Sequence, residues 1–139
     1  MHPILRNILA FIAGMVVGGM VNMGIIIFGS NLLPPPPGVD VSDVASINAH
    51  IHEYSTIQIL VPFFAHALGT LIGAFIVARL AVSRQMILAL VIGAFNLLGG
   101  IMAVRMIPDA PMWFNGLDLV VAYLPMAWLG GKLGMRGTA

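Results

Sequence analysis

The sequence predicts an all-α, polytopic membrane protein: an antiparallel bundle of four transmembrane helices with a short amphipathic helix in its first outer loop. Three observations carry that prediction. Only 8% of the residues are charged and 60% are hydrophobic, whereas a soluble domain has about 25% charged residues to cover its surface. Four apolar runs occur, at about 8–33, 57–82, 86–106 and 112–133, and each reaches the roughly 20 residues that a helix needs to cross ~30 Å of hydrocarbon. Between the first two lies a polar, proline-rich stretch, residues 34–56, long enough for one small surface helix. The 139 residues form a single transmembrane domain with no room for a separate soluble one.

The first run is too long for a signal peptide, whose apolar region is ~7–15 residues. Ala10, Gly14, Gly18 and Asn22 fall at i+4 steps in it, giving one small and faintly polar stripe. Four prolines, Pro34 to Pro37, then stop the helix, because proline has no N–H to donate and fixes φ. From Val41 to Ser55 the pattern is amphipathic: Val41, Val44, Ile47, Ile51 and Tyr54 on one side, Asp43, Ser46, His50 and Glu53 on the other. Ser42 is the expected N-cap. This helix should lie flat on the membrane or over the mouth of the bundle.

The second run organises the rest. Gln58, Pro62, His66 and Thr70 stand one above another at i+4 spacing, with the GxxxG of Gly69 and Gly73 beside them. Span three carries Asn96 at its middle and Arg105 at its end. Span four carries Asp118 one or two turns in, Pro125 near its centre, and a second GxxxG at Gly130 and Gly134. Pro62 and Pro125 should kink their helices. Leu68–Gly73 resembles Leu129–Gly134, and Gly-Gly pairs recur at Gly18-Gly19 and Gly99-Gly100, which hints at a duplicated hairpin.

Charge sets the orientation. With both termini cytoplasmic, Arg6, Arg79, Arg84, Lys132 and Arg136 lie inside and only Arg105 lies outside, as the positive-inside rule requires. All five acids are then outside. Such a chain suits the cell membrane, and its short loops suit a bacterial inner membrane.

The catalytic inventory is thin. There is no cysteine, which removes thiolate nucleophiles and thiolate metal sites. No Ser-His-Asp order, HExxH or phosphate loop is present. The net charge of +1 offers no field for nucleic acid. His50, His52 and Glu53 do not share one helix face, so no metal is expected there, and neither is any cofactor.

His66 is the residue most in need of explanation, since an ionisable group within a span marks a functional site by default. Asn22, Thr70 and Asn96 are its expected neighbours. No carboxylate is expected at its depth, so the ordinary role is an interhelical hydrogen bond, worth ~0.6 kcal/mol on average. Arg105 and Asp118 are expected to form an ion pair at the outer ends of spans three and four.

The leading functional expectation is a non-enzymatic scaffold or accessory subunit. Its glycine faces (Gly14, Gly18, Gly69, Gly73, Gly130 and Gly134) would pack within the bilayer against each other, a partner subunit or a second copy. The alternative is a small transporter or channel, which requires Asn22, His66, Thr70 and Asn96 to face one cavity. A membrane enzyme using His50, Glu53 and Arg105 ranks last.

Overall fold

The computed structural model describes residues 2–135, so Arg136 and the carboxyl terminus lie outside the described residues. Within this range every regular element is helical: α1 (Pro3–Leu32), α2 (Val44–His50), α3 (Thr56–Leu80), α4 (Gln85–Met106), α5 (Met112–Val121) and α6 (Leu124–Gly134), with a 3₁₀ turn at Ile51–Glu53. Four helices are long and apolar enough to cross a membrane, counting α5 and α6 as one. All of them expose large apolar side chains, among them Ile12, Phe64, Phe95, Leu98 and Val120.

α1 begins earlier than its apolar run. Pro3 occupies the first turn, where its missing N–H costs nothing, and His2 caps the Ile4 N–H. The polar head is therefore helical, and it secures the far end of α3. Arg6 Nε donates to the Leu80 carbonyl at 3.2 Å, one of the acceptors that a helix C-terminus leaves unpaired. Asn7 accepts from the Val82 N–H at 3.0 Å and donates to Ser83 Oγ at 2.9 Å. Arg84, at φ 51°, makes the left-handed turn into α4.

The loop between α1 and α3 differs in detail from expectation. Asp43, not Ser42, caps α2, with Asp43 Oδ1 accepting from Ala45 N–H. Ser42 turns back to Asp40 Oδ1 through both its hydroxyl (2.6 Å) and its N–H (2.9 Å). A serine engaged in that local turn is no longer free to cap a helix. These two donors hold the Asp40 carboxyl below its ordinary range. α2 is then stitched to the α4–α5 turn by Asn48, which donates to Asp109 Oδ2 at 2.8 Å and accepts from its N–H at 3.1 Å.

α3 opens with a reciprocal cap between Ser55 and Gln58, the arrangement that satisfies two orphan N–H groups at once. Gln58 Nε2 also donates to the Pro34 carbonyl, tying the polyproline segment to the helix. The two prolines behave differently. α3 continues through Pro62, whereas the fourth run breaks at Ala122–Tyr123, just ahead of Pro125. Pro125 thus occupies the first turn of α6 rather than a kink within one long helix, a position where no N–H is needed.

α1, α4 and α6 all pack on α3. Against α1 the contact is glycine on glycine: a Cβ at Gly14 would lie 2.6 Å from the Gly73 carbonyl, and one at Gly18 2.6 Å from that of Gly69. Rising numbers on α1 meet falling numbers on α3, so the two run in opposite senses. On the other side Gly130 and Gly134 abut the Leu71 and Phe75 carbonyls, so α6 runs with α3. All six glycines expected to form packing faces are used inside the molecule. Beyond them lies a close-packed cluster of Ala10, Ala74, Val77, Ala78, Ala81, Ala89, Ile92 and Ala127, small enough to bring the helix backbones together.

Candidate functional site

The site grows from the polar row of α3. His66 is nearer the Thr56 end of α3 than the Leu80 end, and helical side chains lean toward the N-terminus of their helix. The imidazole thereby reaches Asp118 on α5: His66 Nδ1 is 2.8 Å from Asp118 Oδ1. Tyr123 completes the cluster, its hydroxyl donating to Asp118 Oδ2 at 2.7 Å. The same hydroxyl is 3.0 Å from His66 Nδ1, and the two rings stack with centroids 5.7 Å apart. Asp118 is 3% exposed and Tyr123 2%.

This overturns two expectations. A carboxylate does stand at the depth of His66, and Asp118 is not paired with Arg105. Arg105 is exposed in the last turn of α4 and forms no ion pair among the described residues. The physical reason is directional: Asp118 points inward from α5 to α3, while Arg105 can extend its long side chain away from the apolar interior. Asp109 is likewise engaged by Asn48.

Tyr123 was not legible as a site residue. On an uninterrupted helix, residues 118 and 123 would lie about 140° apart around the axis. The break at Ala122–Tyr123 swings the phenol back toward Asp118. One signal was available, since a buried tyrosine hydroxyl usually finds a partner.

The hydrogen-bond pattern orients the ring: Nδ1 faces Asp118 Oδ1, so Nε2 projects to the opposite side. His66 Nε2 has no hydrogen-bond partner among the described residues. Asp118 and Tyr123 thus hold the imidazole in one orientation with its second nitrogen toward the cavities.

Two cavities meet there. One, of about 250 Å³, is bounded by all four of the residues predicted to converge: Asn22, His66, Thr70 and Asn96. Asn96 Nδ2 donates to Thr70 Oγ1 at 2.9 Å, while the buried Asn22 Oδ1 has no partner among the described residues. The second cavity, of about 360 Å³, lies between α2 and the loop ends of the long helices and has His66 and Asp118 in its wall. His66, Gly100 and Ala103 belong to both. A third hollow, between Ile4, Phe11 and Leu88 at the opposite end, shares no residue with either. No lysine or arginine borders the two cavities that meet at His66, and Asp118 is their one acidic residue among those described.

The histidines of the α1–α3 loop stay apart from this centre. His50 Nδ1 is 2.8 Å from the Ser46 carbonyl on its own helix, and His52 is an exposed side chain 3.9 Å from Glu53.

Comparison with known proteins gives no match to a family model, a curated protein or a solved structure. The functional reading therefore stands on the geometry.

Proposed function

We propose that the protein is a small multi-pass membrane carrier or channel that binds a small solute at the His66–Asp118–Tyr123 centre. On this reading it is a four-span antiparallel bundle in a cell membrane, with both termini cytoplasmic. The observation that carries it is the meeting of two cavities at His66, whose Nε2 is unpaired. A polar centre within apolar helices is costly unless every group is paired, and here the second ring nitrogen of His66 is directed at the cavities. The loop-end cavity supplies an entry. The alanine-rich cluster closes the path toward the Arg84 end, while the exposed Gly19, Phe95 and Gly99 leave the first cavity open sideways between α1 and α4.

The scaffold reading retains less support, because its six glycines are occupied internally. What favours it is the open space around Gly19, Gly24 and Gly99, where a Cβ would meet nothing; a partner helix or a second copy would dock there. Neither reading calls for catalysis.

The absence of cysteine makes single-cysteine labelling a clean test. In intact cells an impermeant maleimide added outside should modify Asn115→Cys, in the loop-end cavity, and spare Ser83→Cys. Among a panel of small solutes, at least one should slow modification at position 115, and lose that protection when His66→Gln is added. Outside labelling of Ser83→Cys would refute the orientation. A panel with no His66-dependent protection would refute the binding site.

A further inference from the structure

The loop-end cavity has a chemical selectivity that the solute-binding reading, on which this inference rests, leaves open. Its walls are apolar, with Ile26, Ile47, Pro62, Ile107 and Phe114 among them, and its polar floor is His66 and Asp118. A carboxylate offers about four acceptor positions, and the described contacts use two, one from Nδ1–H and one from the tyrosine hydroxyl. A buried carboxylate requires an opposite charge or a full set of donors. The imidazole and the tyrosine hydroxyl supply two donors, and no lysine or arginine borders the cavity. An anionic ligand would meet Asp118 with no cation to hold it.

We propose that the cavity takes an amphipathic monocation: an ammonium group on a compact apolar body. The ammonium donates to the unused lone pairs of Asp118 in the cavity wall. The apolar body packs between Pro62 and Phe114. Carboxylates and phosphates are rejected.

Three ligands that share one apolar cage test this: adamantan-1-amine, adamantan-1-ol and adamantane-1-carboxylate, titrated at pH 7 against the full chain in lipid nanodiscs, with empty nanodiscs subtracted. A charge-assisted hydrogen bond is about twice as strong as a neutral one, so the amine should bind roughly tenfold more tightly than the alcohol, and the carboxylate should not bind. Asp118→Asn should erase the advantage of the amine and leave alcohol binding in place, which also reports that the variant is folded. Should Asp118→Asn lose its structure, Asn115→Lys at the cavity wall provides the second arm: it should weaken the amine and admit the carboxylate. The inference is overturned if the alcohol or the carboxylate binds the wild type as tightly as the amine, or if none of the three binds. It is also overturned if neither substitution alters the order. A neutral or anionic solute found through His66-dependent protection would preserve the binding site while removing its cation selectivity.

Discussion

The two halves of α3 solve opposite problems with the same helix. From Gly73 to Leu80 it presents Gly73, Ala74, Val77 and Ala78 to α1, α4 and α6, and these pack so closely that the space is filled. From Thr56 to Thr70 α1 still touches it at Val61 and Gly69, but Pro62, His66 and Thr70 border two cavities. The difference is one of side-chain chemistry. Where there is no hydrophobic drive between helices, small residues gain stability through van der Waals contact at close range. A polar side chain needs partners of its own, and the space beside those partners is left unfilled. Stability belongs to one half, and an open, chemically equipped space to the other.

The largest test of that contrast is to force the packed half open. Gly18→Leu and Gly73→Leu each drive a side chain into the facing helix, where a Cβ alone would already lie 2.6 Å and 2.8 Å from a carbonyl oxygen. Overpacking of this kind costs about 1–3 kcal/mol or more, so both variants should lose most of the folded protein in thermal-unfolding assays. Gly19→Ala and Gly99→Ala, with nothing near their Cβ positions, should stay within about 0.5 kcal/mol of the wild type. Equal damage at all four positions would erase the distinction between packed and open surfaces.

An intermediate effect separates the two polar elements of the open half. Asp118→Ala removes the acceptor shared by His66 Nδ1 and the Tyr123 hydroxyl and leaves them only each other at 3.0 Å, and an unsatisfied buried group costs about 1–3 kcal/mol. Thr70→Val removes a single partner of Asn96, which in such settings is worth ~0.6 kcal/mol. Unfolding in mild detergent should rank the two in that order. If Thr70→Val proves the more damaging, the weight of the polar site lies with the asparagines and not with Asp118.

The smallest effect concerns the loop that covers the cavity. Asp40 is held below its ordinary pKa by the Ser42 hydroxyl and N–H. A depressed carboxylate contributes order that is present above its unfolded value and is lost as pH falls through the folded one. The protection of the Ser42 amide, after correction for the intrinsic pH dependence of exchange, should therefore fall on acidification below the ordinary carboxylate range, and Ser42→Ala, which removes the hydroxyl donor, should weaken that response without altering α3. Protection independent of pH in the wild type would show that the Asp40 turn contributes nothing to the loop.

The sequence revealed more about the packed half than about the open one. The i+4 row of Ala10, Gly14 and Gly18, and the GxxxG at Gly69 and Gly73, could be read directly, because helical spacing and residue size together dictate a close interface. The group Asn22, His66, Thr70 and Asn96 could be named as well, since polar residues in such runs are few. What stayed hidden was the centre itself. Asp118 was assigned to Arg105 because depth was counted along an unbroken span, and Tyr123 was overlooked because its angular position on an unbroken helix is wrong.

By itself, then, the order of residues determined which segments are helical and apolar, which faces are small, and where the cationic ends fall. These follow from local spacing and composition, which no distant contact alters. Only the tertiary structure decided that Asp118 belongs to His66 and Tyr123 rather than to Arg105. That choice depends on one helix break at Ala122–Tyr123 and on the direction in which three side chains point, and both are set by the packing of α5 and α6 against α3.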